Sequence, residues 1–198
     1  MDQVDVTACE RCPALVDCRS RIVNGDGPLD ADLCLVGEAP GAREDEEGRP
    51  FVGRSGSVLD EVLREVGPGR EAVRIVNCVR CRPPENRDPS AGELSNCRSY
   101  LERELAAVDP AVVVTLGKVP AEHLLGESVA VTKAAGEVRE ARVGDRSYRV
   151  VVSVHPAATL YDGTQREPFE AALATAADLA GVAEDADDGD GQSRLGEF

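Results

Sequence analysis

The chain has 198 residues, enough for one α/β domain with its own core. Its formal net charge is −15, from 37 Asp and Glu against 22 Lys and Arg. No secretory h-region or bilayer-length apolar run is visible, which excludes a membrane span and predicts a soluble, cytoplasmic chain, expected to be a monomer.

Near the N-terminus, Cys9-Glu10-Arg11-Cys12 forms a C-x-x-C pair, a spacing shared by redox pairs and zinc knuckles. The apolar run Leu33-Cys34-Leu35-Val36 predicts a buried strand over about 31–36. It leads into residues 37–56, GEAPGAREDEEGRPFVGRSG, a connection long enough to be either functional or disordered. Val58, Leu59, Val62, Leu63 and Val66 then fall at helical spacing, and Gly67-Pro68-Gly69 ends that helix. A second strand is predicted near 72–78. The paired prolines 83 and 84 after it exclude a helix interior. Asp88 is expected to cap the next helix, with Pro89 at its first position. That helix carries the stripe Leu94, Cys97, Leu101, Leu105 and Val108.

A third strand over 111–116 closes on Gly117, and a short helix follows through His123, which reads as a surface histidine. Residues 137–154 alternate as a hairpin turning at Gly144-Asp145, and its second strand empties into His155-Pro156. A last helix spans about 167–181. Residues 1–182 are expected to form one domain. The stretch 183–198 is too acidic and too poor in apolar residues to fold. Strands alternating with helices predict a three-layer αβα domain around a mainly parallel sheet.

Such sheets bind ligands at the C-terminal ends of their strands, where Glu38, Phe51, Asn77 and His155 all fall. Phe51 is one of only three phenylalanines, and an aromatic face beside bare backbone suits a nucleobase. The Asn77 amide offers an acceptor beside a donor, the complement of uracil's N3–H and O4 edge; flipped, it would match cytosine. His155 at a strand exit is placed to donate to a developing anion.

These pieces resemble family 4 uracil-DNA glycosylases, the iron–sulfur branch of that superfamily. The resemblance rests on Gly37-Glu38-Ala39-Pro40-Gly41, Glu44-Asp45, residues 48–53 (GRPFVG), Asn77 with residues 81–87 (CRPPENR), and His155-Pro156, and it covers about residues 9–180. It implies a central, mainly parallel sheet of four strands and removal of uracil from DNA. In the implied pocket Phe51 stacks on the base, Asn77 reads its edge and His155 faces O2. The turn Glu38-Ala39-Pro40 lines the pocket, and Glu44 sits near C5. The aspartate that steers water in some relatives is absent, which leaves Glu38 or Glu44 for that task. No lysine occupies the motifs, so a Schiff-base strand-cleaving activity is not expected.

The resemblance further implies a [4Fe–4S] cluster on Cys9, Cys12, Cys81 and Cys97, four thiolates being its usual ligand set. The residues by themselves also allow a zinc site on Cys9, Cys12, Cys78 and Cys81, since Cys78 and Cys81 form a second C-x-x-C. Against zinc, Cys78 follows Asn77 and so points to the opposite face of the strand. Arg80, Arg82, Arg87 and Arg166 are candidate phosphate contacts. Only Lys118 and Lys133 are lysines, and an acidic, lysine-poor surface suits a salt-rich cytoplasm, so a halophilic source is expected. In the tail, Gln192, Leu195 and Phe198 resemble the Q-x-x-L-x-x-F peptide with which repair proteins dock on the sliding clamp. The competing function is a non-catalytic, metal-stabilised nucleic-acid-binding module.

Overall fold

The structure, a computed structural model, describes residues 4–183. The clamp-like motif at Gln192, Leu195 and Phe198 lies outside the described residues. A short helix α1 (Pro13–Cys18) precedes β1 (Leu33–Gly37); α2 (Ala42–Glu47) and α3 (Arg54–Glu65) lead to β2 (Arg74–Asn77). The long helix α4 (Ala91–Val108) feeds β3 (Val112–Leu116), followed by α5 (Lys118–Leu125) and α6 (Val131–Ala134). The hairpin β4 (Val138–Val143) and β5 (Arg146–Ser153) then gives way to α7 (Ala158–Tyr161) and α8 (Arg166–Ala180). No helix among the described residues is long and apolar enough to cross a membrane.

The expected three-layer arrangement is present. The sheet has five strands in the order β2-β1-β3-β5-β4 rather than four. Its first four strands run parallel, and the fifth is β4, antiparallel to β5 at the edge. The extra strand is the first arm of the hairpin, which stays paired along its length from Val138↔Val151 to Val143↔Arg146.

Alternation along the strands separates two cores. Leu33, Leu35, Ile75, Val112, Val114 and Val151 face α3 and α8, where Leu59, Leu63, Phe169 and Leu173 meet them. Cys34, Val36, Val76, Cys78, Val113 and Val150 face the opposite side, against Leu101 and Leu105 of α4 and Leu124 of α5. Full burial of one such side chain stabilises the fold by about 1.5–3 kcal/mol. The parity that buries Leu33 and Leu35 carries on to Gly37, and that of Ile75 carries on to Asn77; β5 ends at Ser153, and Val154 after it joins the α3-side core. β1 and β2 therefore present their last residues on one side of the sheet, and His155 follows two residues past the end of β5.

Two local expectations change. Helix α4 is capped by Ser90, not Asp88: the Glu93 N–H donates to Ser90 Oγ (3.3 Å), and the Ser90 N–H donates to Glu93 Oε2 (2.7 Å). Asp88, held extended by Pro89, stays outside the helix. Arg80, a candidate phosphate contact, is 4% exposed and paired with the wholly buried Glu104, which also takes Arg74. A buried guanidinium bound this way does not reach a DNA backbone.

Candidate active site

The glycine-rich connection is ordered by its own side chains. The Gly37 and Glu38 carbonyls accept from the Cys78 (2.9 Å) and Val79 (3.0 Å) N–H groups, extending the β1–β2 ladder past the strand ends. The two-turn helix α2 follows, and its Glu44 carboxylate bridges the loop. One oxygen accepts from the Gly41 N–H (2.7 Å), the other from the Phe51 N–H (2.6 Å). Glu44, expected beside C5 of a base, thus commits both oxygens to backbone. Asp45 behind it is buried and accepts from the Ser20 and Arg21 N–H groups, binding the loop to the N-terminal segment.

Phe51 sits at φ = 51°, a left-handed conformation costing about 1–2 kcal/mol for a residue with a Cβ. It is nonetheless buried among the α3-side core residues. Two glycines permit this. A Cβ on Gly56 would stand 1.8 Å from the Phe51 carbonyl oxygen. A Cβ on Gly37 would stand 2.3 Å from Asn77 Oδ1 and 2.6 Å from the Phe51 ring. The bare Cα of Gly37 is where the Asn77 amide and the Phe51 ring meet, since Gly37 and Asn77 are register partners.

His155 completes the group, its ring centroid 5.8 Å from that of Phe51 at an interplanar angle of 32°. Burial depresses its pKa to about 4, so the imidazole is neutral at ordinary pH. Nδ1 accepts from the Ala157 N–H (3.1 Å), which leaves the proton on Nε2. The site therefore has a neutral donor at a fixed atom. Glu38 is half-buried, and its carboxyl is pushed up to about 7, first by burial and then by the charge of Asp88. Pro40 is buried at the same turn, while Ala39 packs toward the cysteines. A cleft of about 370 Å³ opens alongside, lined in part by Glu44, Arg54, Asn86, Ala157, Leu160 and Tyr161. A larger cleft of about 630 Å³ lies between α4, α5 and β4 and shares no lining residue with this group. Size alone would have pointed there; the chemistry does not. His123 lines that larger cleft and is partly buried rather than a surface residue, with a pKa lowered to about 4, chiefly by burial.

Both amide atoms of Asn77 are buried and without a hydrogen-bond partner among the described residues. An unpaired buried amide costs about 1–3 kcal/mol, so such a group in a native fold calls for a partner, be it ligand, ion or water. Here the amide meets the Phe51 ring at Gly37, at the C-terminal edge of a parallel sheet, and the neutral His155 imidazole stands on the same ring. The sequence model of the uracil DNA glycosylase superfamily matches residues 24–177, a span that includes all three. The chain belongs to the uracil-DNA glycosylase superfamily.

Within it, the type-4 uracil-DNA glycosylase of Archaeoglobus fulgidus is 37% identical over 181 residues, covering 89% of this chain and 90% of the relative. That of Sulfurisphaera tokodaii is 38% identical over 171 residues, with 84% and 77% covered. That of Thermotoga maritima is 40% identical over 152 residues, with 76% and 77% covered. A type-5 enzyme of Pyrobaculum aerophilum is also similar, at 34% over 181 residues. These similarities identify the type-4 branch.

The four cysteines that the type-4 resemblance singles out gather in one place. Cys81 and Cys97 are buried with Leu15 and Val79, and Cys12 packs against them. The Cys81 thiol lies within electrostatic reach of Cys9 and Cys12, and that of Cys97 within reach of Cys81 and Cys9. Donors already surround the sulfurs: Arg19 to Cys81 Sγ (2.9 Å) and the Asn96 amide to Cys12 Sγ (3.4 Å). Arg19 also grips the Cys9 carbonyl (2.6 Å). Among the described residues, no three His, Cys, Asp or Glu side chains stand in closed metal-binding geometry. The donor set, four thiols converging from three segments with N–H groups aimed at sulfur, nonetheless fits an iron–sulfur cluster. Cys78 is buried in the α4-side core with Cys34 and Val36 rather than in the cluster of Leu15, Val79, Cys81 and Cys97, although its thiol lies within electrostatic reach of Cys97. Cys18 is partly buried at the end of α1.

Of the other candidate phosphate contacts, Arg87 is engaged with Glu93 (2.7 Å), and Arg166 with Glu61, Glu65 and Glu170. Arg82 bonds Asn86 (2.8 Å) in the proline loop beside the cleft.

Proposed function

We propose that this chain acts as a monomer that excises uracil from DNA by hydrolysing the N-glycosidic bond, leaving an abasic site. The observation that carries this reading is the Asn77 amide, unpartnered among the described residues and meeting at Gly37 the Phe51 ring that His155 neighbours. A base inside a duplex is out of reach, so the nucleotide is extruded into the pocket. The ring lies on Phe51. The Asn77 amide donates to O4 and accepts from N3–H. His155 Nε2–H donates to O2, where negative charge accumulates as the bond to the sugar breaks. A neutral imidazole suits that task because it needs no counter-charge before the reaction starts. The glycine-rich turn excludes bulk water from the far side of the base.

Glu38 is the carboxylate available to orient water, since Glu44 holds Gly41 and Phe51 instead. If so, excision rises as pH climbs through about 7 and Glu38 ionises. Its stability effect has the opposite sign. A carboxyl raised from 4.5 to about 7 on folding gives stability that is full below pH 4.5 and lost as pH rises through about 7. His123 and His155, depressed from 6.5 to about 4, instead lose stability as pH falls from 6.5 through about 4. Glu38→Gln should therefore flatten the pH–rate limb near 7 and relieve the stability loss between pH 4.5 and 7, read by single-turnover rates and thermal unfolding. An unchanged rate profile would leave Glu38 without the water.

A [4Fe–4S] cluster held by Cys9, Cys12, Cys81 and Cys97 would supply iron–thiolate cross-links joining the N-terminal segment, the loop after β2 and α4. Its role on this reading is structural. The tail residues Gln192, Leu195 and Phe198 are proposed to dock on a sliding clamp, with Leu195 and Phe198 one helical turn apart as apolar anchors. Deleting residues 192–198 should abolish clamp pull-down and leave excision from free DNA intact; clamp retention by the truncated chain contradicts the docking.

The function itself is tested by incubating the protein with uracil-containing single- and double-stranded oligonucleotides, then alkali, across a salt series reaching molar concentrations. Strand scission at the uracil position is expected, persisting at high salt. The absence of cleavable product at every salt concentration leaves the non-catalytic binding module as the better reading.

A further inference from the structure

We propose that Arg70, just before β2, is the positioning residue that holds the Phe51 ring in its base-stacking orientation; this rests on the uracil-excision reading above. Phe51 is held in a left-handed backbone conformation, and such conformers persist only where the surroundings over-determine them. Glu44 grips the Phe51 N–H from one side. Arg70 grips the other. Its guanidinium donates to the Phe51 carbonyl (3.1 Å) and to the preceding Pro50 carbonyl (2.6 Å). The same fork is oriented by two carboxylates, Asp60 of α3 (3.0 Å) and Asp26 (3.2 Å), with the side chain only 17% exposed. Asp26 is in turn bridged to the sheet: its N–H donates to the Ile75 carbonyl (2.9 Å) and its carbonyl accepts from the Ile75 N–H (2.8 Å).

The chain of contacts runs from Ile75, two residues before Asn77, through Asp26 and Arg70 to Phe51. One guanidinium thus ties the stacking ring to the strand that carries the edge-reading amide. Two carbonyls and two carboxylates around one side chain need the planar, five-donor fork of arginine. A lysine supplies charge but not that geometry. Arg70 touches neither base nor sugar on this account; it acts through Phe51.

The test compares wild type with Arg70→Lys and Arg70→Met, using four readouts: hydrogen exchange at the Phe51 amide, single-turnover excision, inhibition by free uracil and affinity for abasic-site DNA. Both variants should exchange the Phe51 amide at least 10-fold faster. Excision and uracil inhibition should weaken together by at least 10-fold, with abasic-site affinity within about twofold of wild type, because only the stacked base is misplaced. Arg70→Lys keeps a cation near Asp26 and Asp60, so it preserves the fold if Arg70→Met does not. Full recovery of excision by lysine, unchanged Phe51 exchange, or a loss that vanishes when the assay is cooled below the variant's unfolding range would each overturn the proposal. The exchange measurement needs no uracil chemistry. A wild-type protein that fails to excise uracil would sink the functional reading while leaving the Arg70 result legible on its own.

Discussion

Replacing Asn77 with alanine is expected to cut uracil excision by about 30- to 20,000-fold while leaving the melting temperature unchanged or higher. On the proposed reading the amide has two jobs in the complex and none in the free protein, since neither of its polar atoms has a hydrogen-bond partner among the described residues. Removing it leaves one donor and one acceptor of the bound base unpaired, at about 1–3 kcal/mol each. The sum, about 2–6 kcal/mol in the transition state, converts to the stated range at about 1.4 kcal/mol per tenfold. In the free protein the same substitution removes an unpaired buried amide, so the fold loses nothing by it. The opposite signs distinguish this account from the ordinary one for a polar residue at a strand end. A strand-end brace would lose stability and activity in step. Single-turnover excision together with thermal unfolding reads both quantities.

Cys97→Ala is expected to remove the iron, the absorbance of the cluster and at least about 3 kcal/mol of stability, whereas Cys78→Ala should keep the iron. For a chain of this size that loss corresponds to a fall in melting temperature of about 6–12 °C. The contrast follows from placement. Cys97 shares its surroundings with Cys81 and Cys12, while Cys78 lies in the other core beneath α4. A zinc site built on the two C-x-x-C pairs reverses both outcomes: Cys78→Ala would release metal and Cys97→Ala would not. Metal analysis of anaerobically purified variants decides between them.

Much of the site could be read from the chain because it depends on local rules. The step from apolar run to glycine-rich loop marked the end of β1, and two-residue periodicity put Asn77 and Cys78 on opposite faces, as found. His155-Pro156 after a β-branched strand marked a second strand end. The parts that escaped are those set by distant partners. Arg80 is a basic residue beside a polar loop, and nothing nearby announces that Glu104 buries it. Arg70 follows a helix-ending glycine and resembles any surface arginine until its four acceptors are assembled from residues 26, 50, 51 and 60. Glu44 was legible as an acidic position of the motif but not as a loop brace, because its partners depend on the left-handed turn at Phe51. The cap at Ser90 follows from a local rule as well: Ser90-x-x-Glu93 is a capping box written plainly in the sequence.

The most direct measurement is a crystal structure of the protein with free uracil. The account predicts the ring lying flat on Phe51, its N3–H and O4 edge on the Asn77 amide and its O2 within hydrogen-bond distance of His155 Nε2. Uracil bound elsewhere, or a pocket in which those three side chains do not touch it, would contradict the account at its centre.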